Sequence, residues 1–280
     1  MIVIRAATAG FCMGVSLALE KLEAALAAGN APIRTLGPII HNPQALSAFE
    51  ERGVTCIDTP EEAQVCDHVL IRAHGIPREV EARLNRACKQ VQDATCPKVK
   101  RAQLAIARAT ANGATLLLFG EKSHPEVAGL ISYASGPAIV FGSETALEDR
   151  RFDGDANLVL ASQTTQDREA FTRISEHLAA RHPRMQILST ICDATRERQQ
   201  EALRIAGQVE AMVVIGGRAS GNTRRLANLA QAAGIETFLV ETADELRREQ
   251  FAGKKIVGLT AGASTPMNLI DEAEIWLAGL

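Results

Sequence analysis

The chain has 280 residues, of which 46% are hydrophobic, 22% charged and only 4% aromatic. This balance excludes a disordered protein, a collagen-like fibre and a small disulfide scaffold. With 30 Lys and Arg against 33 Asp and Glu, the net charge is −3, so no bulk positive field draws in nucleic acid or an anionic membrane surface.

The first residues, Met1-Ile2-Val3-Ile4-Arg5, read as a strand rather than a signal peptide. Strands follow at 33–36, 69–72, 90–93, 116–119, 158–161, 212–215, 237–240 and 256–259, the first of the series being 2–6. Between them lie amphipathic stretches rich in Ala, Leu, Glu and Arg at 15–28, 78–87, 99–111, 197–208 and 267–278. Such alternation predicts parallel sheets with crossover helices. The densely charged stretch 148–155 reads as a surface loop. No apolar run approaches the roughly 20 residues of a membrane-spanning helix. The expected location is therefore cytoplasmic, where thiols stay reduced. There the 6 cysteines serve as ligands, catalysts or core fillers rather than disulfides.

One order of events occurs three times: strand, cysteine, helix, strand, polar loop. His41, His124 and Ser220 follow Cys12, Cys96 and Cys192 by 29, 28 and 28 residues. A second polar loop comes later in each unit, at Ala73-His74-Gly75, Gln163-Thr164-Thr165 and Ala263-Ser264-Thr265. A period this long indicates domains rather than a solenoid. The expected α/β fold has three small domains with mainly parallel sheets, related by a pseudo-threefold axis: 13–95, 96–191 and 192–280. The third is completed by the N-terminal strand within 1–12, because the last helix leaves it one strand short. No further domain is expected.

In open parallel sheets, ligands bind where strands lead into helix N-termini. Threefold symmetry would bring three thiolates together there, ringed by six loops. A Cys₃ zinc site needs a fourth ligand. A cubane cluster normally takes four cysteines, and with three one iron stays open as a Lewis acid. Cys56, Cys66 and Cys88 lack equivalents and read as core or surface thiols, and His68, His177 and His182 as structural or solvated. His41, His74 and His124, with Ser220, Asn222 and Ser264, form a donor set suited to phosphate or diphosphate. The Gly216-Gly217 stretch matches no nucleotide fingerprint. Glu126 suits the first turn of a helix begun by Pro125, and is also the one carboxylate placed to move protons among these groups. Thr164 either holds a substrate hydroxyl or caps the helix beginning near Asp167.

Nine segments, in order, resemble the 4-hydroxy-3-methylbut-2-enyl diphosphate reductase family: Gly10-Phe11-Cys12, Ile40-His41-Asn42, Ala73-His74-Gly75, Asp93-Ala94-Thr95-Cys96-Pro97, His124-Pro125-Glu126-Val127, Gln163-Thr164-Thr165, Thr190-Ile191-Cys192-Asp193-Ala194-Thr195, Ser220-Gly221-Asn222 and Thr260-Ala261-Gly262-Ala263-Ser264. The resemblance implies a [4Fe-4S] cluster on Cys12, Cys96 and Cys192 at the centre of a trefoil. It implies substrate binding by His41, His74, His124, Ser220, Gly221, Asn222 and Ser264, and catalysis by Glu126, Thr164 and His124. The implied reaction is reductive dehydroxylation with two electrons and two protons, the substrate oxygen bound at the open iron. Its products are isopentenyl and dimethylallyl diphosphate, and a ferredoxin or flavodoxin supplies the electrons. Gly221, Thr223 and Asp193 depart from the more usual Ser, Ser and Tyr; Asp193 would shift the cluster's potential if it pointed inward. The competing readings are an iron–sulfur hydro-lyase acting on a phosphorylated substrate and a non-catalytic cluster or zinc protein.

Overall fold

A computed structural model describes residues 1–29, 32–147, 152 and 156–280. The charged stretch 148–155, apart from Phe152, lies outside the described residues. In chain order the elements are β1 (Ile2–Arg5), α1 (Met13–Ala28), β2 (Ile33–Leu36), α2 (Pro43–Glu50), β3 (Thr55–Ile57), β4 (His68–Ile71), α3 (Arg78–Ala87) and β5 (Gln90–Asp93). Next come α4 (Pro97–Ala109), β6 (Thr115–Phe119), α5 (Pro125–Ile131), β7 (Ala138–Phe141), β8 (Leu158–Ser162), α6 (Arg168–Arg181) and β9 (Gln186–Ile187). The chain continues through α7 (Asp193–Ala206), β10 (Ala211–Ile215), α8 (Gly221–Ala232), β11 (Thr237–Val240), β12 (Ile256–Ala261) and α9 (Met267–Ala278).

Among the described residues the strands form three four-stranded sheets, ordered β1-β12-β10-β11, β3-β2-β4-β5 and β7-β6-β8-β9, and every pairing is parallel. Read from the edge that precedes a cysteine, all three orders are the same. The chain divides into two compact units. One comprises Met1–Ser16, Ile40–Arg52 and Asp193–Leu280, and the other Leu17–Ile39 and Gly53–Cys192. The first holds the sheet in which Ile2 of β1 lies beside Ile256 of β12; the second holds the other two sheets.

Burial on both faces explains why the central strands are continuous apolar runs rather than alternating ones. In β6 and β8, Leu116, Leu118, Val159 and Ala161 pack into one core, while Leu117, Phe119, Leu158 and Leu160 pack into another on the opposite face. All five residues of β10 are fully buried. The edge strands are more exposed, as in β1 and β5, each with one exposed and three half-buried residues. The strand reading passes over β7, an edge strand whose residues are largely exposed or half-buried.

Two helices start earlier than their apolar periodicity suggests: α4 at Pro97 and α7 at Asp193, each one residue after a cysteine. The apolar stripe begins only where a helix meets its core, whereas the helix itself begins at the strand's end. Cys88 ends α3, where its amide donates to the Leu84 carbonyl at 2.9 Å. Its thiol is buried in the sheet core, and that burial raises its pKa. Cys56 and Cys66 are exposed.

Candidate active site

Each of the three equivalent cysteines is half-buried and stands between an edge strand and a helix. One backbone pattern fixes all three. Past the last paired residue the ladder gains another bond: Ala6 to Leu259, Ala94 to Ile71 and Leu188 to Leu160. The cysteine amide then donates to a carbonyl in the loop beyond the neighbouring strand. These bonds are Cys12 to Ala263 at 3.0 Å, Cys96 to Ala73 at 2.9 Å and Cys192 to Thr164 at 2.9 Å.

The polar loops lie where strands meet helices. In the first unit, Asn42 Oδ1 accepts the Ala45 amide at 2.9 Å and caps α2, and Ser220 Oγ accepts the Thr223 amide at 3.3 Å and caps α8. The Ser264 hydroxyl donates to the His41 carbonyl at 2.9 Å, which joins two of the predicted diphosphate residues. Gly221 is the first residue of α8 and is buried with Asn222. The side-chain nitrogens of Asn42 and Asn222 are buried donors that meet no acceptor among the described residues. Such orphans carry an electrostatic cost that the oxygens of an anionic ligand would remove. Thr223 is fully buried, and its side chain fills the room left by Gly216 and Gly262. Asp193 does not point inward: its side chain is 56% exposed and pairs with Arg196 at 3.4 Å.

In the second unit the rings of His74 and His124 stand edge to face, 5.5 Å apart. His124 Nδ1 accepts the Glu126 amide at 3.1 Å, so the neutral ring carries its proton on Nε2. Glu126 is 1% exposed; one of its oxygens accepts the Thr164 amide at 2.6 Å and the other the Thr164 hydroxyl at 3.0 Å. A carboxylate held this way has a fixed position, which proton transfer at a defined atom would require. Thr164 does not cap the following helix. That cap is Asp167, whose carboxylate accepts the Ala170 amide at 2.6 Å.

Several supporting residues escape sequence reasoning. Gln163 Oε1 accepts the Glu121 amide at 3.1 Å and its Nε2 donates to Thr165 at 3.1 Å, which holds the 163–165 loop against the turn after β6. Its place beside Thr164 in the motif is the only signal. Gln103 packs where a Cβ on Gly75 or Gly129 would lie, and nothing in the helical pattern of α4 marks it. Arg72 is drawn toward the neutral form by burial, and its Nε donates to the Gly75 carbonyl at 3.3 Å. Near Cys96, burial works to raise the pKa of Asp93, but bonds from Thr95 and Lys100 outweigh it and leave the carboxyl below its ordinary value. His68 meets Gln92 at 3.1 Å, in keeping with a structural role.

The family described as LytB protein matches residues 3–278. The chain belongs to this family, a class of α/β reductases. Similar curated proteins are the 4-hydroxy-3-methylbut-2-enyl diphosphate reductases of Desulfovibrio desulfuricans, 60% identical over 282 residues, and of Oleidesulfovibrio alaskensis, 56% identical over 277; each alignment covers 99% of both chains. A solved structure of (E)-4-hydroxy-3-methyl-but-2-enyl diphosphate reductase, the terminal enzyme of the non-mevalonate pathway, is 39% identical, with a TM-score of 0.71 and full coverage of both chains. The fold also matches the Plasmodium falciparum reductase, with a TM-score of 0.93 at 24% identity, over 100% of this chain and 87% of that one.

Proposed function

We propose that the protein reduces 4-hydroxy-3-methylbut-2-enyl diphosphate to isopentenyl and dimethylallyl diphosphate, taking up two electrons and two protons and releasing water. Cys12, Cys96 and Cys192 hold a [4Fe-4S] cluster in this reading. The observation that carries it is the equivalent backbone bond that anchors each of the three cysteine amides. The donor set fits the group: three half-buried thiols, each followed by a helix. Bound there, such a cluster supplies single electrons and one Lewis-acidic iron with an open position.

The remaining roles belong to side chains. Ser220, Gly221, Asn222, Ser264 and His41 bind the diphosphate, and the orphaned Asn222 nitrogen supports this assignment. His74 and His124 complete the binding set. Thr164 holds the substrate hydroxyl, and Glu126 delivers a proton through the contact the two already make. The domains of this reading are 13–95, 96–191 and 192–280 with 1–12, which follow the three sheets. A ferredoxin or flavodoxin donates the electrons, and the setting is cytoplasmic. None of the helices among the described residues is long and apolar enough to cross a membrane.

Purification without oxygen, followed by iron and sulfide counting and an assay with dithionite and a mediator, tests the proposal. Four irons per chain with consumption of reductant is the expected result. A colourless zinc protein would refute the cluster. Loss of water from the substrate to give a product of unchanged oxidation level, without consumption of reductant, would replace the reductase with a hydro-lyase.

A further inference from the structure

Helix α7, which begins at the residue after Cys192, carries two side chains that grip the loop ending in Cys12. Glu201 takes the near end of the loop: its two carboxylate oxygens accept the Ala7 amide at 3.0 Å, the Thr8 amide at 2.9 Å and the Thr8 hydroxyl at 2.6 Å. Arg198, one turn earlier and 5% exposed, takes the far end, where Nη2 donates to the Gly10 carbonyl at 2.6 Å. The anion holds donors and the cation holds an acceptor, so each charge is matched to the backbone group it meets.

The loop between these grips has little freedom. The Ala9 amide closes a turn onto the Ala6 carbonyl at 3.1 Å, and Gly10 has a φ of +112°, a conformation that side-chain-bearing residues rarely adopt. A Cβ on Gly10 would also lie 3.0 Å from Met267 Cε. Residues 6, 7, 8, 10 and 12 are thus all tied by backbone groups to β12, to α7 or to the loop after β12. A solvent-exposed turn of this length needs no ionised grips, whereas a thiol that must meet a fixed partner needs its backbone held.

We propose that α7 acts as a clamp, with Arg198 and Glu201 as positioning residues that fix Cys12 for ligation. The proposal rests on the reading of Cys12 as a cluster ligand. Arg198→Met, Arg198→Lys and Glu201→Gln are loaded with iron and sulfide under anaerobic conditions beside the wild type, and iron release to a ferrous chelator is timed. Phe251→Leu serves as a control, because it loosens the core of the same unit at a residue outside the loop. Release should be about tenfold faster in Arg198→Met and Glu201→Gln, the scale of a lost hydrogen bond to a charged group. It should be partly restored in Arg198→Lys and unchanged in Phe251→Leu. In the metal-free chain, amide exchange over residues 7–12 should quicken in the same two variants while β12 keeps its protection. Wild-type release rates in all variants, or equal acceleration in Phe251→Leu, would overturn the clamp. If the wild type takes up no iron, the cluster reading fails, and unchanged exchange over 7–12 then refutes the clamp on its own terms. Should Arg198→Met fail to fold, Arg198→Lys and Glu201→Gln carry the same comparison.

Discussion

The Glu126–Thr164 contact lends itself to a double-mutant cycle. Thr164→Val keeps the shape of the side chain and removes the hydroxyl that donates to a nearly inaccessible carboxylate at 3.0 Å. A bond to a buried charged acceptor is worth about 1.5–3 kcal/mol, and one between neutral groups, as when the side-chain NH2 of Glu126→Gln donates to the Thr164 hydroxyl, about 0.5–1.5 kcal/mol. Thr164→Val should therefore cost about 2 kcal/mol in the wild type but only about 1 kcal/mol beside Glu126→Gln, which gives a coupling of about 1 kcal/mol. Urea unfolding of the metal-free protein and of all three variants measures it. Independent sites add to within about 0.3–0.5 kcal/mol, so a coupling inside that band would show that the carboxylate and the hydroxyl do not interact. Turnover provides the second reading. Glu126→Gln retains the acceptor for the Thr164 amide but cannot carry a proton, so substrate binding should persist while most of kcat disappears. A large loss of affinity with normal kcat would assign Glu126 to binding alone.

Cys56→Ser should keep the full iron content and Cys96→Ser should lose it, as iron counting on anaerobically loaded protein will show; equal iron in the two would defeat the repeat argument. Gly75 has a φ of +72° and lies where a Cβ would stand 2.9 Å from Gln103 Nε2, so Gly75→Ala should destabilise by about 1–2 kcal/mol; an unchanged urea midpoint would contradict this. For Glu201, burial tends to raise the pKa, but the bonds from Thr8 and Ala7 prevail and hold it below the ordinary glutamate value. Its contribution is complete above about pH 5 and fades as pH falls below the usual range near about 4.3. Wild type and Glu201→Gln should accordingly differ in stability at neutral pH and converge in acid, and a gap that grows in acid would reverse the assignment.

The central strands were legible because burial on both faces writes an unbroken apolar run, as in Ala211–Ile215. Edge strands such as β7 were not, since one row of hydrogen bonds and partial exposure leave little mark on composition. Proline and caps placed helix starts better than periodicity did: Pro125 marks the first residue of α5, while the stripe of α7 begins well after Asp193. The three candidate cysteines and their polar loops stood out through their equivalence across three units. Residues acting through one long-range bond, such as Gln163, Gln103 and Arg198, leave no such trace. Their function depends on what lies opposite them in space, and periodicity carries no information on that.

The pairing of Ile2 with Ile256 makes β1 wait for a strand that follows it by about 250 residues in chain order. On the ribosome, Cys12 has no fixed surroundings until β12 has emerged, because both its amide partner at Ala263 and the grips of α7 lie in the C-terminal part of the chain. Cys96 and Cys192, by contrast, take their amide bonds from carbonyls already made. Of the three thiols, the earliest translated is thus the last to find its setting. A chain that ends between Cys192 and Ala263 holds the carbonyl partners of Cys96 and Cys192 but not that of Cys12.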